Sequence, residues 1–216
     1  AETGPTSATL TAKTLEAWVA LPSLEQRGGG VITVESIGGG VFDSLVFAER
    51  QKGRWIAGSN NSVRTQNVNG QPETAKPGEL IHLALVYQPD GRIKLYRNGK
   101  AYGSGYAPAN EKAALHAFAA GKSRLLFGRR HTGGGNAFLI GELEEARLYG
   151  FALTAGQIAD SFRAGTLRGE IPAVAVKNER LDALRAQADA LRKSIAALGA
   201  ADARLDEGLI KGEADP

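Results

Sequence analysis

Leu80-Ile81-His82-Leu83-Ala84-Leu85-Val86-Tyr87-Gln88-Pro89-Asp90-Gly91-Arg92-Ile93-Lys94-Leu95-Tyr96-Arg97-Asn98-Gly99-Lys100 holds two strands and two turns in 21 residues. Pro89-Asp90-Gly91 puts proline at the first corner of a turn and glycine where a positive φ is required. Ile93 and Leu95 alternate with Arg92, Lys94 and Arg97, which predicts a strand with one buried and one wet face. Asn98-Gly99 supplies the next hairpin turn. Leu83, Ala84, Leu85 and Val86 are apolar on both faces, so their strand belongs in the middle of a sheet.

The same grammar extends in both directions. Further short apolar runs occupy 14–21, 31–36, 41–48, 54–58, 124–128 and 138–149. Between them lie Gly28-Gly29-Gly30, Gly38-Gly39-Gly40 and Gly133-Gly134-Gly135, read as turns. Short strands at this spacing predict a sandwich or barrel. The 28 glycines against 8 prolines agree with a chain of tight turns, and 43% hydrophobic residues suffice for a core.

After Tyr149 the period changes. Thr154 caps a predicted short helix with Ile158, Ala159 and Phe162 on one side. Beyond a polar break at Pro172, Leu181, Leu184, Ala188, Leu191, Ile195 and Leu198 recur at steps of three and four, a heptad seam over 181–198. Its flanks carry Arg180, Arg185 and Arg192, which disfavour a parallel homodimer. The expectation is a helical, coiled-coil-like tail that packs as a hairpin or against a more acidic segment of a longer chain, or docks on its own sandwich. The domain reading is a tail or scar at 1–7, a sandwich at 8–168 and the helical tail at 169–216.

Composition excludes several classes. With 26 basic and 23 acidic side chains the net charge is only +3, which gives no warrant for nucleic acid as a partner. No run approaches the roughly 20 apolar residues of a membrane span. Cysteine is absent, which removes disulfides, thiolate nucleophiles and thiolate metal sites. Methionine is absent too, and the chain opens Ala1-Glu2-Thr3-Gly4, which reads as a mature or excised piece of something longer.

Three segments together resemble the laminin-G-like jelly-roll modules of the concanavalin A-like superfamily. Thr14-Leu15-Glu16-Ala17-Trp18-Val19 resembles the opening strand, whose Trp packs into the core. The segment from His82 through Lys100 is similar to the family's central hairpin. Gly141-Glu142-Leu143-Glu144-Glu145-Ala146-Arg147-Leu148-Tyr149, with Ala152-Leu153-Thr154 and Ile158, is similar to its closing motif. There are departures: Glu144 stands where Asp is usual, and Leu80-Ile81 replaces a common Trp-His. The resemblance implies an all-β sandwich of two antiparallel sheets. It does not give function, since the superfamily holds lectins, adhesion domains and glycosidases alike.

A glycosidase needs two carboxylates facing each other across the scissile bond. Glu142 and Glu144 share a face by the two-residue strand period, but no third aligned acid follows, and the resemblance makes this pair structural. His82, His116 and His131 show no metal-binding spacing, and no Gly-x-Ser-x-Gly elbow occurs. The expectation is a protein that is not an enzyme.

For a ligand, the most suggestive loop is Arg129-Arg130-His131-Thr132-Gly133-Gly134-Gly135-Asn136, with forked donors suited to carboxylates or sulfates; the alternative is an ordinary solvated hairpin tip. Sugar-stacking candidates are Trp55, Tyr102 and Tyr106, with Trp18 assigned to the core. Asp43, Asn60, Asn61, Asp90 and Asn136 have the chemistry for Ca²⁺ but form no compact run, so calcium is a weak expectation and no other cofactor is expected. The reading is a non-catalytic binding module of a larger exported bacterial protein, secreted or periplasmic, recognising glycan or protein. A structural spacer with a helical arm and a glycoside hydrolase-like sandwich are the alternatives.

Overall fold

The computed structural model describes residues 1–108, 115–133 and 138–166, together with residues 187, 189, 190, 193 and 194, which are helical. The chain divides into two compact units, residues 1–167 and 168–216. The seam residues Leu181, Leu184, Ala188, Leu191, Ile195 and Leu198, and Asn136 of the late loop, lie outside the described residues.

Among the described residues the first unit contains β1 (Lys13–Ala20), β2 (Gly29–Ser36), β3 (Phe42–Phe47), β4 (Trp55–Ser59), a 3₁₀ turn (Asn60–Ser62), β5 (Leu80–Tyr87), β6 (Ile93–Arg97), β7 (Lys100–Ala101), β8 (Ser123–Phe127), β9 (Glu142–Tyr149) and an α-helix, α1 (Ala155–Ala164). They form a five-stranded sheet in the order β7-β6-β5-β1-β9 and a four-stranded sheet in the order β4-β3-β2-β8. Every ladder is antiparallel. The quoted hairpin sits as its sequence dictates: Asn98 and Gly99 turn β6 into β7 with φ of 48° and 73°. Gly91 takes φ 83°, and Asp90 Oδ1 accepts the Arg92 amide at 3.0 Å.

The core lies between the sheets. Leu15, Val19, Leu83, Leu85 and Leu95 face Val34, Leu45, Phe47 and Trp55 across it. β5 is central and apolar on both faces because both are covered. Its outward residues Ala84 and Val86 join Tyr96, Leu153 and Ile158 in a second cluster under α1. Thr154 starts α1 with a full capping box, its hydroxyl accepting the Gln157 amide while the Gln157 side chain accepts the Thr154 amide.

The expected organisation changes in four places. Gly29 and Gly30 are strand residues of β2, not part of a turn. A Cβ on Gly30 would sit 2.6 Å from the Arg130 Cα, so the bare backbone lets residues after β8 lie flat on the sheet. The run 138–149 is two pieces. Phe138 bridges to Gly30 and Arg129, β9 begins only at Glu142, and a Cβ on Gly141 between them would meet the Ala20 carbonyl at 2.5 Å. Arg97, expected on the wet face, shares the parity of Ile93 and Leu95 and reaches inward to Glu73. Finally, residues 1–7, expected as a tail, run beside β8: the Thr3 amide donates to Leu125 O at 3.0 Å and the Thr6 amide to Ser123 O at 2.7 Å.

Candidate functional site

The outer face of the four-stranded sheet presents Thr33, Glu35, Phe42 and Ser44, alternating along β2 and β3 with core residues. Residues 129–133 fold down onto it. Thr33 Oγ1 donates to Arg129 O at 3.0 Å, and fully buried Glu35 accepts the Thr132 amide and hydroxyl, each at 2.9 Å. Arg124 Nε holds the other side of Glu35 at 3.0 Å. The expected hairpin tip is therefore a tethered strap. A charged carboxylate binding two donors on one residue fixes that residue firmly.

The strap does not cover the sheet completely. A recess of about 390 Å³ remains, lined by Gly39, Gly40, Phe42, Glu49, Ser59, Asn60, Asn61, Ser62, Arg130, His131 and Gly133. The His131 ring lies on the Phe42 ring, centroids 4.3 Å apart and planes 11° apart. Arg130 pairs with Glu49, whose other oxygen, Oε2, is buried without a hydrogen-bond partner. The opposite wall is a 3₁₀ turn, Asn60–Ser62, in which Asn61 and Ser62 take φ of 49° and 53°. Two successive non-glycine residues in the left-handed region cost on the order of 1–3 kcal/mol each, and such strain gathers where a wall must hold its shape.

Of the sequence-derived candidates, Arg130, His131, Asn60 and Asn61 come together here, the two asparagines having entered as calcium donors. Arg129 does not line the recess; its guanidinium lies 5.3 Å from the Phe138 ring. Trp55 is corrected from stacking platform to core: it is 1% exposed, and its indole N–H donates to Glu73 Oε2 at 2.7 Å. Tyr102 and Tyr106 are spoken for as well, donating to Gln71 O at 2.6 Å and Arg64 O at 2.7 Å; burial pushes the Tyr106 hydroxyl up to about 12.

Asp43 is likewise no solvent-facing calcium ligand. It is buried between the sheets, 2.8 Å from Lys13 Nζ and accepting Arg64 Nε at 2.8 Å. Burial pushes the Lys13 ammonium down from its ordinary value, against the pull of Asp43. Arg64 also donates to Asn60 Oδ1 at 2.8 Å, so a guanidinium stands between the two oxygen candidates. Asp90 sits apart, exposed in its own turn. Among the described residues no group of three or more His, Asp or Glu side chains is placed to hold a metal.

Residues 1–159 match a laminin-G family of the concanavalin A-like lectin/glucanases superfamily. The chain belongs to that family. None of the curated proteins matches it. Among solved structures, it is similar to a Bacteroides ovatus protein described as carbohydrate-binding, at 17% identity and TM-score 0.55, covering 75% of this chain and 44% of that one. It is also similar to a heptameric SAP-like pentraxin from Limulus polyphemus, at 17% identity and TM-score 0.52, covering 78% and 77%. A third likeness is to a sialidase from Trypanosoma rangeli, at 17% identity and TM-score 0.52, covering 74% of this chain but 24% of the enzyme. These are likenesses of fold.

The laminin-G closing motif explains its own acids. β9 slips register between Trp18 and Val19 of β1, so Val19 faces Leu143, Trp18 faces Glu145, and Glu144 is the extra residue. Glu142 and Glu144 are both exposed on either side of half-buried Leu143, so the alternation holds up to the slip and is broken only beyond it. Glu145 is bonded to Arg147 Nε at 2.6 Å. On the same sheet, buried Glu16 accepts His82 Nε2 at 2.8 Å and the Tyr149 hydroxyl at 3.0 Å.

What sequence reasoning missed is Phe42, Glu49 and Ser62 as parts of one site. Glu49 and Arg130 stand 81 positions apart, and nothing local links them. The usable signal was the pair of glycine runs at 38–40 and 133–135, since Gly39 and Gly133 meet at the rim.

Proposed function

We propose that this laminin-G-like domain is a non-catalytic glycan-binding module whose ligand enters the recess between the Asn60–Ser62 turn and the 130–133 strap. The observation that carries the reading is the recess itself. It is a concave site walled by amides, hydroxyls, a carboxylate and a guanidinium, with a strained turn on one side and a ring stack on the other. Sugars need many directional hydrogen bonds and one flat surface, and this wall supplies both. The carbohydrate-binding description of the Bacteroides ovatus relative supports the same reading. The chain spans under half of that relative and about a quarter of the sialidase, which suits a module serving a longer, exported parent.

The test is a glycan array probed with the full chain, with calcium and again with chelator. Saturable binding that His131→Ala abolishes is the expected result. Binding is expected to survive the chelator, because Arg64 already bridges Asp43 and Asn60. If no glycan binds, the site reading fails, and spacing or protein contact becomes the better account.

A further inference from the structure

We infer that the recess selects uncharged glycans, through a sugar hydroxyl donated to the Glu49 carboxylate. This rests on the glycan-binding reading above and sharpens it to a ligand class. The starting point is an unmet demand. Glu49 lines the recess with its side chain 19% exposed, and its carboxylate has Arg130 on Oε1 while Oε2 has no hydrogen-bond partner. A partly exposed carboxylate with unmet acceptor capacity gains from a donating ligand, so an occupant that brings a donor to Glu49 is favoured.

The charges around Glu49 narrow the donor further. Its other oxygen is paired with Arg130, so the two formal charges on the wall oppose each other. An anionic sugar would set its carboxylate or sulfate beside Glu49 while the arginine meant to receive it is already committed. A cationic amino sugar would satisfy the Glu49 carboxylate but face Arg130. A neutral hydroxyl meets neither penalty.

The rest of the wall suits a polyol. Asn60 gives its carbonyl oxygen to Arg64 at 2.8 Å, which fixes the amide and leaves its NH₂ as the donor. A sugar hydroxyl both donates and accepts, so one hydroxyl given to Glu49 and a neighbour received from Asn60 use the complementary halves of a vicinal diol. This reverses what Arg130 suggests when read alone. An arginine in a loop points to sulfate or carboxylate; an arginine neutralised by Glu49 does not.

The experiment is competition on the same array between neutral, sialylated, sulfated and free-amine glycans, using the full wild-type chain. Its best ligand is then titrated against wild type and Glu49→Gln by calorimetry, with thermal melts as the folding control. The expected result is a preference for neutral glycans in the wild type. Glu49→Gln should weaken them about tenfold or more, the cost of a hydrogen bond to a charged group, and should release Arg130 to take sulfated or sialylated glycans. A wild-type preference for anionic or free-amine glycans overturns the inference while leaving glycan binding intact. So does a folded Glu49→Gln variant that binds neutral glycans as the wild type does. Absence of any glycan binding removes the function on which the inference stands.

Discussion

On the outer side of the five-stranded sheet, Glu16 is buried beneath α1, the His82 ring lies 4.6 Å from the Trp18 ring, and Arg147 reaches across to Ser161 and Gly165 at the end of the helix. On the outer side of the four-stranded sheet, Glu35 is buried beneath residues 129–133, His131 lies on Phe42, and Arg124 and Arg130 hold the edges. The residue types are nearly the same. What differs is the cover. A capped helix brings Leu153 and Ile158 down with it and seals its face. A glycine-bearing strap brings no apolar side chain comparable to Ile158, so it is pinned by hydrogen bonds and leaves a gap. The first face is built as a lock and the second as a mouth, and the choice is made by what crosses the sheet.

That contrast can be broken at several points. The largest effect should come from Glu16→Ala, which strips partners from His82, Tyr149 and Arg147 at once. Urea denaturation should show a loss of about 3–4 kcal/mol, and a loss below about 1 kcal/mol would mean the network is not what holds that face. Next, Ile158→Ala removes the buried anchor of α1 and should cost about 3 kcal/mol, with glycan binding of the folded fraction unchanged. On the other face, Glu35→Ala frees the Thr132 strap. The expected loss is about 2 kcal/mol, accompanied by loss of binding; intact binding would separate the strap from the site.

Smaller still, Thr154→Ala deletes one cap and should cost about 1 kcal/mol, again without touching binding. The last test concerns the layer between the faces. Burial alone would raise the Glu73 carboxyl, but hydrogen bonds from Arg97, the Trp55 indole and the Ala75 amide together hold it below its ordinary value. A carboxylate lowered in the folded state contributes stability that is present above its unfolded pKa of about 4.3 and is lost as pH falls through the folded pKa. Stability followed downward from pH 5 should therefore decline, and Glu73→Gln should flatten that decline while both outer faces keep their own behaviour.

The sandwich was legible because its information is local. Pro89-Asp90-Gly91 and Asn98-Gly99 dictate turns within four residues, and the two-sided apolar run 83–86 demanded a covered central strand. Thr154 and Ile158 showed the helix that covers it. The site was less legible because its information is distant. Arg130 and His131 stood out as loop residues, but their partners Glu49 and Phe42 lie on another strand and the loop after it. Trp55 and Asp43 misled because residue type alone does not say which way a strand side chain points. Parity would have helped: both fall in register with core positions of β3 and β4. The slip at Glu144 left no trace in composition, so counting twos along β9 loses register from Glu145 onward.

That slip has one more effect. Among the described residues β9 pairs only with β1 and so stands at the edge of its sheet. Such an edge invites another molecule of the same protein to zip on and grow a fibre. The extra residue interrupts the even spacing that zipping requires, and Glu142 and Glu144 are both exposed acids beside that edge. The acids that at first suggest chemistry are better understood as marking an edge on which a further strand would find no even ladder.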